Sequence, residues 1–210
     1  MDGAGELQEP TGVRSDEERN EASAAELLER IRRGDSGAFE QVARDQAPRL
    51  FRLALRLCGR REDAEDLVQE TLVRCLPKLR KFEGRAQLST YLIRALTNLW
   101  KNRLRSRKRS RLVDWFRGGS DDEEQASQID TAVDTSPGAD ERIEGEERAK
   151  QVREAVSRLE PKRRLTLLLR EVEEMSYEEI AEMTRVPVGT VRSRLARARD
   201  DLRKLLGEMP

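Results

Sequence analysis

Ser176-Tyr177-Glu178-Glu179-Ile180-Ala181-Glu182-Met183-Thr184-Arg185-Val186-Pro187-Val188-Gly189-Thr190-Val191-Arg192-Ser193-Arg194-Leu195 is the stretch on which the fold turns. Ser176 and Glu179, three positions apart, form a capping box, and Met175 with Ile180 staples it, so a helix starts here. That helix is short: Ile180, Ala181 and Met183 supply its apolar side before a turn through Thr184, Arg185 and Val186. Pro187 stands at the entry of a longer helix, a position that suits its fixed φ. Beyond it Val188, Val191, Leu195, Ala198, Leu202 and Leu205 recur at steps of three and four as the apolar seam. Thr190, Arg192, Ser193, Arg194 and Arg197 are left for the outside. A short helix, a tight turn and a basic second helix make a helix-turn-helix, whose second helix fits a DNA major groove about 12 Å wide. An αα-hairpin packed on a partner protein has the same apolar pattern. The arginines in the first half of the second helix favour DNA, and Asp200 and Asp201 suit an end that points away from the groove.

Upstream, the same unit begins near Glu147, with Ala149, Val152, Ala155, Val156 and Leu159 on one face, and Pro161 starts a helix holding Leu165, Leu168 and Leu169. A separate helical pattern runs from Ala24 to Leu112. Asp35 caps a helix with Phe39, Val42 and Ala43, Pro48 interrupts, and Leu50, Phe51, Leu53, Ala54 and Leu57 lead to a stop at Gly59. Ala64, Leu67, Val68, Thr71, Leu72, Cys75, Leu76 and Leu79 then mark the clearest helix, with Asp63 in a position suited to its cap and Pro77 set to kink or end it. Its other face carries Glu65, Asp66, Gln69 and Glu70, which dipole complementarity alone explains. After a loop over 82–87, Leu88, Tyr91, Leu92, Ala95, Leu96 and Leu99 mark a helix whose remaining faces carry Arg94, Asn98, Lys101, Asn102 and Arg105. These amides and cations can reach phosphates and base edges. Trp100 is either core or a stacking residue. Trp115 and Phe116 read as closing this first domain.

Charged residues make up 39% of the 210 positions and hydrophobic ones 36%, too little apolar material for one large core, so two small helical units are expected. The net charge of zero hides blocks: residues 76–119 carry 13 Lys/Arg against 2 Asp/Glu, and 120–150 carry 3 against 11. The basic block is a footprint for a polyanion, because Arg103, Arg105, Arg107, Lys108, Arg109 and Arg111 are too dense to be paired by nearby acids. The acidic block, with Gly118-Gly119 and Pro137-Gly138, reads as a self-repelling flexible linker.

Histidine is absent, there is no phosphate-binding glycine loop, and no nucleophile stands with a base, so an enzyme, a metal site and a cofactor are not expected. Cys58 and Cys75 sit in apolar-periodic segments as reduced thiols. Met1 to Asn20 lacks the basic and apolar regions of a signal peptide and no apolar run is long enough to span a bilayer, so a cytoplasmic protein without membrane insertion is expected.

With these segments in place the chain resembles the extracytoplasmic-function sigma factors, compact two-domain specificity subunits of bacterial RNA polymerase. Asp63-Ala64-Glu65-Asp66-Leu67-Val68-Gln69-Glu70-Thr71 resembles their region 2.2, and Ser89-Thr90-Tyr91-Leu92-Ile93-Arg94 through Asn98 resembles regions 2.3 and 2.4. Ser176 through Ala181, followed by Gly189 through Arg199, resembles region 4.2. The resemblance implies an all-α fold: a tail without structure over 1–23, a region 2 domain over 24–112, an acidic flexible linker over 113–146 and a region 4 helix-turn-helix domain over 147–210.

It also implies that Glu65, Asp66, Gln69 and Glu70 face the clamp helices of the polymerase β′ subunit, with the β flap as a further contact. Arg94, Asn98, Lys101, Asn102 and Arg105 would hold the melted minus-ten element as single strand, and Thr190, Arg192, Ser193, Arg194 and Arg197 would read the minus-thirty-five element in duplex form. An anti-sigma factor is an implied partner, and the free chain is implied to be a monomer. Two departures stand out: Tyr91 replaces the usual tryptophan, and Arg185 stands where glycine is common, at about 1 kcal/mol if the backbone there is left-handed. A dimeric operator-binding regulator that works without polymerase is the competing reading, and oligomeric state separates the two. An adaptor with no nucleic-acid role fits the basic block poorly.

Overall fold

The computed structural model describes residues 26–82, 87–116 and 139–207, and every regular element among them is helical. Helix α1 (26–32) turns at Gly34, whose φ of 83° lies in the left-handed region. Asp35 then caps α2 (Ser36–Cys58) as expected, its carboxylate accepting from the amides of Gly37 at 2.8 Å and Ala38 at 3.4 Å. The Arg30 guanidinium bonded to Asp35 holds this carboxyl below its usual range. At the other end Gly59 takes a φ of 77° and its amide donates to the Leu55 carbonyl at 2.8 Å, the expected stop.

Pro48 does not interrupt this helix: α2 runs through it. The missing N–H removes one bond of the ladder, but Val42 before the proline and Leu50, Leu53, Ala54 and Leu57 after it are buried on one seam. Tertiary packing overrides the local cost.

Helix α3 (Arg61–Cys75) begins earlier than expected, with Arg60 at the cap and Asp63 in the first turn. Arg60 makes no side-chain cap bond, so Glu62 and Asp63 support this end through the helix dipole. Pro77 ends α3 as expected by leading it into a 3₁₀ segment, Leu76–Lys81. Helix α4 (Leu88–Phe116) follows. The first unit closes around Leu50, Leu53, Leu57, Leu67, Leu79, Leu92 and Leu96, all fully buried, and Trp100, 5% exposed, belongs to this core.

The second unit starts earlier than expected, with α5 (Ala139–Arg158), so helix occupies both ends of the stretch read as linker, at 113–116 and 139–146. Acids and a glycine at 140–146 therefore lie within α5, and a negative excess there did not exclude helix. The expectations for residues 1–23, for most of the 82–87 loop, for the side chains of Trp115 and Phe116 and for 117–138 concern residues outside the described ones. Glu160 caps α6 (Pro161–Glu171), accepting from the Arg163 amide at 3.2 Å. The capping box of α7 (Tyr177–Thr184) is present in both directions: Glu179 N–H to Ser176 Oγ at 3.1 Å and Ser176 N–H to Glu179 Oε2 at 2.7 Å. Arg185 ends α7 with a φ of 58°, the left-handed geometry in question, and α8 (Val188–Gly207) completes the helix-turn-helix.

The two units are not the separate bodies that the sequence suggests. α2 packs against α5 and α6, and the buried apolar residues of both units form one continuous cluster. Charge joins it. The Glu173 side chain is 2% exposed and accepts from Arg49 Nε of α2 at 2.7 Å, while the charge of Arg56 lies nearby. Arg164 of α6 donates to the Leu57 carbonyl at the end of α2 at 2.9 Å, and to the carbonyls of Ser157 in the last turn of α5 and Leu159 just beyond it. Its Nε is buried without a partner, and burial lowers its pKa. Cys58, beside it, is a free thiol pushed up to about 11 by burial and then by Asp63, and Cys75 is also free.

Two stability changes are expected. Arg164→Met keeps the apolar stem and removes the carbonyl contacts, and should cost about 1.5–3 kcal/mol in urea unfolding; an unchanged midpoint would mean that the seam stands without it. Arg185→Gly relieves the left-handed backbone, and after the added freedom of the unfolded chain should raise stability by about 0.5–1 kcal/mol. A lower melting temperature in that variant would show that the arginine side chain contributes more than its backbone costs.

Candidate nucleic-acid and protein interfaces

Three surfaces carry the residues singled out in the sequence. On α4, Arg94, Asn98, Lys101 and Arg105 follow at steps of four, three and four, a single stripe roughly 16 Å long. Asn102 flanks it, and Asn98, Asn102 and Arg105 are exposed. The Lys101 amine is lowered by burial first, then by Arg105, Arg185 and Arg94, so these four cations share one region. Among the described residues Arg94 alone of the five has an acid partner, Glu182 of α7 at 2.5 Å. A row of cations and amides on a rigid helix can line up successive backbone phosphates.

On α8, Thr190, Ser193, Arg194 and Arg197 share one stripe, and Arg192 lies on the opposite flank, in line with Arg199. The buried seam of Val191, Leu195 and Ala198 holds the helix so that this basic side stays outside. Arg192, Arg194 and Arg197 make no ion pair among the described residues. The cations beyond them are engaged: Arg199 with Glu171 at 2.7 Å and Arg203 with Asp200 at 3.0 Å, while Asp201 accepts from Arg163 at 2.5 Å. Free positive charge therefore concentrates in the first half of α8, the part of such a helix that enters a groove. Ser193 donates to the Thr190 carbonyl at 3.0 Å, which leaves its oxygen as an acceptor.

On α3 the four acidic or amide residues do not form one surface. Asp66 and Gln69 are exposed and without partners among the described residues, and Glu65 pairs with Arg61 at 2.8 Å on the same helix. Glu70 turns inward to Arg103 at 2.6 Å and to Arg74 at 2.6 Å. Asp63 pairs with Arg107 at 3.1 Å, and its carbonyl accepts from Arg103. The expectation that the arginines of the basic block are too dense to be paired thus fails for Arg103 and Arg107. Their acids lie 33 and 44 positions earlier in sequence, brought close because α3 packs on α4. Lys108 and Arg111 have no described side chain, and Arg105 and Arg109 are exposed.

One residue was missed by the sequence pattern. Val73 is 65% exposed and lies on the same side of α3 as Asp66 and Gln69. The signal was its position off the apolar stripe, where burial does not account for a valine. Among the described residues no group of His, Cys, Asp and Glu could hold a metal, and no helix is long and apolar enough to cross a membrane.

Comparison with known proteins matches these surfaces to defined regions. The family model described as Sigma-70 region 2 matches residues 42–110, and that described as Sigma-70, region 4 matches residues 149–202. The chain is 29% identical over 182 residues to the ECF RNA polymerase sigma factor SigW of Bacillus subtilis, covering 87% of this chain and 96% of the relative. It is 32% identical over 189 residues to the RNA polymerase sigma-H factor of Pseudomonas aeruginosa, covering 86% of this chain and 92% of the relative. Among solved structures it is similar to the sigma factor RpoE in complex with the anti-sigma factor NepR from Bartonella quintana, with a TM-score of 0.60, 27% identity, and 82% of this chain and 98% of that one covered. The fold is shared with CnrH in complex with the cytosolic domain of CnrY, at a TM-score of 0.58 and 20% identity over 89% of this chain and 99% of that one. With regions 2 and 4 both matched in order over nearly the whole length of such relatives, the chain belongs to the extracytoplasmic-function family of RNA polymerase sigma factors, which direct promoter-specific transcription initiation with core polymerase.

Proposed function

We propose that the three surfaces divide the work of initiation. The outer side of α3, with Asp66, Gln69 and Val73 at its centre and Glu65 at its edge, docks on the β′ clamp helices of core polymerase. The α4 stripe of Arg94, Asn98, Lys101, Asn102 and Arg105 holds the melted minus-ten strand. Thr190, Arg192, Ser193, Arg194 and Arg197 on α8 read the duplex minus-thirty-five element, with the β flap behind the helix-turn-helix. The observation that carries this reading is the distribution of unpaired charge: the first half of α8 keeps its arginines free while the second half pairs its own.

The role is one of binding and positioning, and no catalytic residue, cofactor or metal is assigned. The chain acts as a monomer in the cytoplasm, where an anti-sigma factor controls its access to polymerase. The solved structure of the sigma factor RpoE in complex with the anti-sigma factor NepR supports that last point.

Glu70 is a positioning residue and not a docking one, since its carboxylate ties α3 to Arg103 of α4. Asp66→Lys combined with Gln69→Lys should weaken binding to core polymerase at least tenfold with an unchanged melting temperature. Glu70→Gln should do the reverse, lowering the melting temperature with little effect on core affinity. Equal core affinity for wild type and the double variant would remove α3 as the docking surface.

The promoter reading is tested by reconstituting the chain with core polymerase and selecting initiated sequences from a library randomised at both elements. Arg192→Ala and Arg197→Ala should each cost about 1–3 kcal/mol at a position with a base contact, and should relax the selected minus-thirty-five sequence there. A phosphate contact would instead weaken all promoters alike and flatten the salt dependence. Selected sequences and affinities identical to wild type in both variants would show that α8 does not enter the groove.

A further inference from the structure

The α4 stripe has an occupant within the chain. Glu182 lies near the C-terminal end of α7, 73% exposed on its side chain, and its Oε1 accepts from Arg94 Nη2 at 2.5 Å across a separation of 88 positions. The next turn brings Arg185 close enough to Lys101 that its charge is felt there. The carbonyl end of α7, which carries the negative pole of that helix, thus meets the cations of α4. No packing need explains Glu182, because the apolar side of α7 is Ile180, Ala181 and Met183. The arrangement is held elsewhere, by the buried Glu173 with Arg49 and by Arg164 on the end of α2.

A carboxylate on a guanidinium uses the same charge-assisted N–H to O bonds as a DNA phosphate. We propose that Glu182 occupies, in the free chain, the seat on Arg94 that a backbone phosphate of the melted promoter strand takes in the initiating complex. The first helix of the helix-turn-helix is therefore an internal competitor for single-stranded DNA. An exposed pair of this kind holds little by itself, which makes it exchangeable for a polyanion once polymerase draws the two units apart. The groove-facing side of α8 is not covered in the same arrangement, since Arg192, Ser193 and Arg197 remain exposed. The free chain thus masks its single-strand surface while leaving its duplex surface open. This inference rests on the reading that the α4 stripe holds the melted strand.

The test measures fluorescence anisotropy of a labelled single-stranded DNA 12-mer with the free full-length chain. Glu182→Gln is compared with Glu178→Gln, which removes the same charge one turn earlier on the same side of the helix, from an exposed residue that makes no ion pair among the described residues. Glu182→Gln should raise single-strand affinity about two- to fivefold, Glu178→Gln should not, and the gain should vanish when Arg94→Ala is added. Affinity for a duplex of the same length should change little in either variant. Equal affinities for wild type, Glu178→Gln and Glu182→Gln would overturn the proposal, as would equal gains in the two variants. A separate measurement isolates the underlying reading: Arg94→Ala should weaken strand capture by the assembled holoenzyme, where the units are already parted. If holoenzyme capture is unchanged in Arg94→Ala, the assignment of the α4 stripe fails and the competitor proposal with it. If capture weakens but the free-chain variants match wild type, only the competitor proposal falls.

Discussion

The Arg164 guanidinium is the constraint from which the packed arrangement of the two units follows. Helix ends leave carbonyls without partners, and the ends of α2 and α5 meet at one place, with Leu57, Ser157 and Leu159 pointing their oxygens inward. One planar cation with a fork of donors satisfies all three and complements the negative poles of both helices. The same place costs something, because Nε is buried without a partner and the charge is partly desolvated. Such a group is tolerated only where it organises what surrounds it. Here it fixes the angle at which α2 meets α5 and α6, and so decides which face of the first unit the helix-turn-helix approaches.

Charge is partitioned by the same geometry. The chain is neutral overall, so every cation left free for nucleic acid implies an acid left free elsewhere. α3 gives up Glu70 and Asp63 to hold Arg103 and Arg107, which stiffens the α3–α4 pair and narrows the free acids to its outer side. Asp66 and Gln69 remain open there, around Val73. Towards the far end of α8, Asp200 pairs with Arg203 and Glu171 of α6 with Arg199, and the start of the helix stays positive. Function therefore follows from pairing across helices more than from composition along the chain.

What was legible in the sequence is what local chemistry decides. The capping box at Ser176, the Asp35 cap, the Gly59 stop and the strained Arg185 each depend on residues within four positions, and each is present as read. The apolar seams of α3 and α8 were legible because periodicity reports burial directly. Pro48 was misread because its local cost is real but smaller than the packing on either side. The pairs Glu70 with Arg103, Arg49 with Glu173 and Arg94 with Glu182 join residues 33, 124 and 88 positions apart. No periodic pattern encodes such partners. The seam between units escaped for a related reason: the polar contacts that accompany its apolar packing come from arginines and one glutamate, residues that a hydropathy pattern assigns to solvent.

The packed form and the promoter-engaged form differ by a distance the covalent chain can cover. Elements named for positions about 25 base pairs apart lie roughly 85 Å apart along straight duplex, at about 3.4 Å per base pair. In the packed form α7 touches α4 and rests on α8, so the two proposed DNA surfaces lie within a few helix diameters, on the order of 20–30 Å. One arrangement cannot serve both elements. The 22 residues between Phe116 and Ala139 have a contour of roughly 75 Å, enough with the breadth of the units themselves to allow the separation. Parting the seam exposes apolar surface, which opposes it. It also returns Glu173 and Arg164 to water, and the hydration recovered by two partly desolvated charges offsets part of that cost. A seam made this way opens more readily than an apolar one of equal area, which suits a protein whose two halves must meet in one state and read separate elements in another.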